Sequence, residues 1–314
     1  MNKSLLQEIS ESFFMSEIQI ERIFVRAPYA YKLYTIPKRS GGLRNIAQPA
    51  KETKYVQSWL IHNVFSSLPV HDCAMAYKSG SSIKENALAH VEKPYLVKFD
   101  FKDFFTSIKE ANLIAHFQLY LGGRFSSEEI KYLARISCIK YKHATEKCLS
   151  VGAPSSPILS NSILFEFDKS VHEWCVSKNI VYTRYADDLT FSLREKGMAS
   201  TIEAEVRNFA KTKCVVNLRF NQKKTTHLSK KCQRRITGLV ITNEDKISLG
   251  RDRKREIKAL IHQHLLGMLN ADQVSNLQGL LGFAKNIEPS FLFSLYKKYT
   301  FEVVNGIIRS RKTK

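Results

Sequence analysis

The chain has 314 residues, 44% of them hydrophobic, enough to bury a sizeable core as one large domain or two smaller ones. Lys and Arg number 49 against 29 Asp and Glu, a formal charge of +20. That field speeds encounter with polyanions and is hard to explain for an ordinary metabolic enzyme; a nucleic-acid binder or a membrane-surface protein both fit it. No apolar run approaches the roughly 18–20 residues that cross a bilayer, so no membrane partner is expected. The mixed, acidic stretch 1–20 lacks the form of a secretory signal. Cys73, Cys138, Cys148, Cys175, Cys214 and Cys232 are scattered without a Cys-x-x-Cys pair. They offer no recognisable zinc site and fit reduced thiols in a cytoplasmic protein.

In chain order, residues 1–24 read as one helix, with Leu5, Leu6, Ile9, Phe13 and Phe14 on one face. The runs 31–37 and 43–47 flank Lys38-Arg39-Ser40-Gly41-Gly42, a β-hairpin with a basic, glycine-containing tip. Lys38 and Arg44, with Arg39, can lie against a triphosphate, arginine offering bidentate contact; a solvated hairpin tip has the same composition. Residues 51–68 and 111–121 look helical. Ser81 or Ser82 caps a further helix that carries Asn86 and His90; His90 also suits a structural role.

Tyr95, Val97 and Phe99 alternate as on a half-buried strand, which places Asp100 at its end. Asp103 falls three residues on, where a short helical turn lifts it toward a bound nucleotide or uses it as an N-cap. Gly152-Ala153-Pro154-Ser155-Ser156-Pro157 is a small-residue loop that lets a sugar and base approach the backbone closely. Ser155 or Ser156 then caps a helix with Pro157 in its first turn. Further on, β-branched and aromatic residues flank Asp187-Asp188 on both sides, as in two strands meeting at a turn tipped by acids. Adjacent carboxylates repel, and a hard cation relieves them; alone, the pair also fits an ordinary turn. If this hairpin pairs with the strand of Asp100, three carboxylates can share two Mg²⁺ ions roughly 3.5–4 Å apart, the geometry of phosphoryl transfer.

Lys223 and Lys224 follow on a turn. Lys230, Lys231, Arg234 and Arg235 precede the apolar run from Ile236, where they suit either an RNA-backbone contact or a solvated edge. From Asp252, Ile257, Leu260, Ile261, His264, Leu265 and Met268 keep helical spacing, with Arg253, Lys254, Arg255 and Lys258 on or near the other face. A domain border is expected at 245/246, near Asn243-Glu244-Asp245.

Together these motifs resemble bacterial retron-type reverse transcriptases from about residue 25 to residue 310. Phe99-Asp100 through Phe105 resembles the first palm motif, Val151-Gly152-Ala153-Pro154 the motif opening the primer-side helix, and Tyr185-Ala186-Asp187-Asp188 the palm hairpin. Asn86-Ala87-Leu88-Ala89-His90 and Ile236-Thr237-Gly238 resemble the retron Asn-Ala-x-x-His and Val-Thr-Gly elements. The resemblance implies an α+β right-hand polymerase, with fingers and palm over 1–245 and a helical basic thumb over 246–314. It implies an RNA-directed DNA polymerase using two Mg²⁺ ions, or Mn²⁺ in vitro. Asp100, Asp187 and Asp188 are then the catalytic metal ligands. Lys38, Arg44, Asp103, Phe105, Gly152 and Lys224 would meet the nucleotide, Phe105 excluding a ribose 2′-OH and Lys224 protonating pyrophosphate. Asn86, His90, Lys230, Lys231, Arg234, Arg235, Thr237, Gly238, Arg253 and Arg255 would meet RNA.

The implied partners are dNTPs, a structured noncoding RNA serving as template and 2′-OH primer, the RNA–DNA product, and a separate effector in anti-phage defence. With no length left for a nuclease of about 100 residues, template removal is expected from another protein. Val151 departs from the family, which has Gln there, so an apolar contact is expected at 151. A noncatalytic RNA-binding scaffold, or a group II intron or abortive-infection reverse transcriptase, remain the other readings.

Overall fold

The computed structural model describes residues 3–38 and 41–310, so Arg39 and the basic tail from Arg311 lie outside the described residues. Two compact units emerge. The first holds Met1–Gly80, Val97–Phe191 and Glu195–Thr226; the second holds Ser81–Leu96, Ser192–Arg194 and His227–Lys314.

The first unit opens with two helices, Leu5–Phe13 and Glu17–Arg26, where the apolar spacing predicts one. The chain breaks at Phe14, whose φ is +54°, and restarts at Ser16. There Ser16 accepts from Gln19 N while the Gln19 side chain accepts from Ser16 N, a reciprocal cap that the Ser-x-x-Gln spacing encodes. Strands β1 (Tyr31–Pro37) and β2 (Leu43–Pro49) form the expected antiparallel hairpin, Tyr31 opposite Pro49 and Pro37 opposite Leu43. The helix Lys51–Asn63 and a 3-10 turn, Phe65–Ser67, take the place of one helix over 51–68.

The main sheet comprises β3 (Tyr95–Lys102), β4 (Val181–Tyr185), β5 (Asp188–Leu193), β6 (Arg219–Phe220) and β7 (Thr226–Leu228). Its order is β4-β5-β3-β6, with β7 also paired to β3. β3 is not the half-buried strand its alternation predicts. Val97, Phe99 and Phe101 bury one face, and Leu96 and Asp100 are buried on the other. Phe99 packs edge-on against Phe191, and Phe101 against Phe167 of the helix Phe165–Ser177. Asp100 also lies two residues inside the strand rather than at its end.

The second unit gathers the short helix Ile83–Leu88, a sheet of β8 (Arg234–Ile236), β9 (Leu239–Ile241) and β10 (Ile247–Ser248), and four helices from Arg251 onward. Ala87, Ile236, Leu239, Ile257 and Leu281 share its core. The expected border at 245/246 falls in the turn between β9 and β10, which pair in one sheet, and the second unit takes in the chain from His227. In the helix Arg251–Leu265, Ile257 and Ile261 are buried, but Leu265, its last residue, and Met268, beyond its end, are exposed. Among the described residues, no helix is long and apolar enough to cross a membrane.

Candidate active site

β4 and β5 are joined through Ala186 and Asp187, with Asp188 opening β5. Ala186 takes φ +57°, a left-handed value that a β-carbon disfavours. Because β5 lies beside β3, this tip meets Asp100. Carboxylate oxygens of Asp100, Asp187 and Asp188 lie within 4.8 Å of one another. The backbone fixes the approach: Phe101 N donates to Asp187 O at 3.0 Å, and Asn221 N donates to Asp100 O at 2.8 Å. On the turn Gln222–Lys224, Lys224 Nζ donates to Asp100 Oδ2 at 2.6 Å, and Asn221 Nδ2 donates to Oδ1 at 3.2 Å.

Burial pushes the Asp187 carboxyl up to about 6, and the charges of Asp188 and Asp100 push the same way. Asp188 is raised too, first by burial, with Lys98 partly opposing. Burial alone would lower Lys224, yet the hydrogen bond and charge of Asp100, with the other two acids, hold it above its ordinary value. Three hard oxygen donors crowded together and partly withdrawn from water suit a divalent cation.

The other expected nucleotide contacts are spread around the first unit. Lys38 and Arg44 are exposed on the β1–β2 hairpin. Asp103 is exposed at φ +53°, and its side chain makes no cap; its carbonyl instead accepts from Ser107 N at 2.9 Å. Phe104 is buried and stacks on Phe101, whereas Phe105 is only partly buried. Gly152 has φ +127°, and a β-carbon there would sit 2.8 Å from the Ala47 carbonyl oxygen. Ala47 N donates to Val151 O at 2.8 Å, so the loop and β2 touch backbone to backbone. Neither expected cap forms next to it. Ser155 makes no capping bond, and Ser156 Oγ accepts from Ser150 N.

Sequence reasoning missed the support beneath the hairpin. Arg184 and Asp168 are both fully buried and paired at 2.6 Å, and Tyr182 and Asn161 join them. Arg184 Nη1 also donates to the Ala186 carbonyl at 3.0 Å. Only the unusual charge between Thr183 and Tyr185 on an apolar strand signalled it. Tyr77, at φ +61°, was missed as well; partial burial and then the Asp187 charge raise its hydroxyl pKa.

In the second unit several expected RNA contacts prove internal. Asn86 is 1% exposed and His90 is fully buried, with His90 Nδ1 2.7 Å from Ser192 Oγ. Arg234 is fully buried; it donates to the carbonyls of Lys93 and Thr242 and pairs with Asp245. These three side chains are enclosed by the protein. Thr237 and Gly238 form the β8–β9 turn, and Thr237 Oγ1 donates to Ile83 O at 3.2 Å. The turn of the second retron-like run is thus tied to the start of the helix that carries Asn86. Lys230, Lys231, Arg235 and Arg255 are exposed, Lys230 pairing with Asp245; Arg253 is half-buried over the Phe283 ring.

A carboxylate triad shared between β3 and the β4–β5 hairpin, within a mixed sheet-and-helix unit, fits a right-hand polymerase. Residues 36–263 match the family Reverse transcriptase (RNA-dependent DNA polymerase). The chain is 37% identical to the Retron Ec83 reverse transcriptase of Escherichia coli, covering 88% of this chain and 89% of that one. It is 34% identical to the Retron Ec73 reverse transcriptase of the same organism, over 89% and 90% of the two chains. Among solved structures, the foamy viral protease-reverse transcriptase dRH in complex with double-stranded DNA aligns at TM-score 0.46 and 16% identity. That alignment covers 90% of this chain and 44% of that one. The chain belongs to the reverse transcriptase family and, within it, to the retron reverse transcriptases: it is an RNA-directed DNA polymerase. Use of a divalent metal and of an RNA template comes with that membership.

Proposed function

We propose that the chain copies a cognate structured noncoding RNA, priming from an RNA 2′-OH, and yields a short single-stranded DNA joined to RNA. The observation that carries the catalytic reading is the clustering of Asp100, Asp187 and Asp188 within 4.8 Å. Identity to retron reverse transcriptases along most of the chain supports the RNA-joined product.

In this reading Asp100 and Asp187 are the main ligands of two Mg²⁺ ions, and Asp188 supports them. When bound, the ions lower the pKa of the attacking hydroxyl and neutralise the departing pyrophosphate. The protein's own work is positioning. Lys38 and Arg44 hold the triphosphate, Phe105 crowds the ribose 2′ position, and Asp103 and Gly152 border the sugar. Lys224, already at the metal site, donates a proton to pyrophosphate. The helices from Arg251 onward act as a thumb, and Lys230, Lys231, Arg235, Thr237, Gly238, Arg253 and Arg255 contact RNA. A separate effector protein in phage defence and a cytoplasmic location complete the reading.

The test expresses the protein with its native flanking DNA beside an Asp187→Asn, Asp188→Asn double variant. Nucleic acid is treated with ribonuclease and resolved on a denaturing gel. A discrete, DNase-sensitive band made only by the intact acids, and shifted by debranching, is the expected result. A specific copurifying RNA without any DNA band would instead favour a noncatalytic scaffold.

A further inference from the structure

The acids are held by a hairpin whose tip adopts an unfavourable conformation, and the side chain two residues before that tip is buried in full. Arg184 uses every edge of its guanidinium. Nε donates to both oxygens of Asp168 at 2.9 and 3.1 Å, and Nη2 to Asp168 Oδ2 at 2.6 Å. Nη1 divides between Asn161 Oδ1 at 3.1 Å and the Ala186 carbonyl at 3.0 Å. The anchors are themselves anchored. Tyr182 Oη donates to Asp168 at 2.8 Å, and Asn161 Nδ2 donates to the Ala76 carbonyl at 2.7 Å. Arg184 backbone N and O bond to Cys73 O and Met75 N, each at 2.8 Å.

A buried ion pair adds little stability over an apolar pair of the same volume, so its stabilising effect does not account for so many directed bonds. Direction does. The planar fork links the helix Phe165–Ser177, through Asp168, to the carbonyl of the one hairpin residue at positive φ. That carbonyl belongs to the peptide leading into Asp187.

We infer that Arg184 is the positioning residue of the catalytic hairpin: by tying the Ala186 carbonyl through its guanidinium to the Asp168 carboxylate, it sets where Asp187 presents its oxygens. The role is indirect, since Arg184 touches neither metal nor nucleotide. It rests on the reading of Asp187 as a metal ligand.

Arg184→Lys keeps the charge opposite Asp168 but cannot span Asp168, Asn161 and Ala186 together. Leu133→Ala, a buried truncation on the helix Ser127–Ser137, is the control for lost stability. Each full-length protein is followed by thermal unfolding, by steady-state primer extension, and by Mn²⁺ titration read by electron paramagnetic resonance without nucleotide. Below its unfolding midpoint, Arg184→Lys should lose on the order of 100-fold in kcat, as ~1 Å misplacements do, with little change in dNTP KM. Its Mn²⁺ binding should weaken by about 10-fold, as when a ligand loses its support. Leu133→Ala should lose only its unfolding midpoint.

Wild-type kcat and Mn²⁺ binding in folded Arg184→Lys would overturn the inference and leave the pair as core packing. If Arg184→Lys does not fold, Asn161→Ala decides by the same criteria. If wild type binds Mn²⁺ no better than Asp187→Asn, the metal reading fails separately, and kcat against KM judges Arg184.

Discussion

Asp187 is an acid held where its charge is least welcome, out of water and beside two others. Its carboxyl lies at about 6 against an ordinary 3.8. Between those values the folded state binds more protons than the unfolded state, so metal-free stability falls as pH rises through that window and stays lowered above it. The cost at neutral pH is on the order of 2–3 kcal/mol. Asp187→Asn should therefore raise the metal-free unfolding midpoint at pH 7.5 and flatten its change between pH 4 and 6. The same variant should lose most of the stabilisation that added Mg²⁺ gives wild type. Differential scanning fluorimetry across pH, with and without Mg²⁺, measures both. A variant that unfolds earlier than wild type without metal would contradict this account. The acid itself was legible from Tyr185-Ala186-Asp187-Asp188, but its altered proton affinity was not, because that depends first on burial in the fold and only then on the charges of Asp188 and Asp100.

At the scale of elements, the β8–β9 hairpin places the Ile236-Thr237-Gly238 run at a tight turn. Thr237 and Gly238 have φ of +45° and +86°, the requirement of a two-residue type I′ turn. Threonine is a poor choice there, yet its hydroxyl donates to Ile83 O at the start of the helix carrying Asn86 and His90. Thr237→Val keeps the shape and loses that bond, and should cost about 1 kcal/mol in urea unfolding. His90→Ala removes a buried side chain and its contact with Ser192, so it should cost more, about 2–4 kcal/mol. Equal stability of Thr237→Val and wild type would remove the proposed tie. That His90 is internal is not legible in the sequence, since a polar residue in a motif looks the same whether it faces a ligand or a neighbouring strand. The split of the first helix at Phe14 was legible from Ser16-x-x-Gln19, a signal outweighed by the apolar spacing on either side.

For the whole molecule, the charge of +20 is the dominant property. RNA affinity should fall steeply with salt, since each neutralised phosphate releases counterion. Arg255→Ala and Lys231→Ala, at exposed positions, should each reduce the slope of log affinity against log salt by about one. His90→Ala and Arg234→Met, at buried positions, should leave the slope unchanged while lowering stability. Filter binding at several salt concentrations separates the two groups. A slope that changed with His90 and not with Arg255 would reverse the division into surface and core.

The sequence alone determined the chemistry of the chain: three acids at strand-and-turn positions, the basic hairpin, the small-residue loop at Gly152 and the family they mark. Those features are local, and their residue types are dictated by what they must do. Tertiary structure decided which polar groups are inside. Arg184, Asp168, His90 and Arg234 are ordinary surface residue types, and each is buried against a partner from another segment of the chain. It also decided the proton affinity of Asp187 and the need for glycine at 152, where Ala47 arrives from a strand about a hundred residues earlier. Each depends on contacts between segments far apart in the chain, which no local pattern of residues encodes.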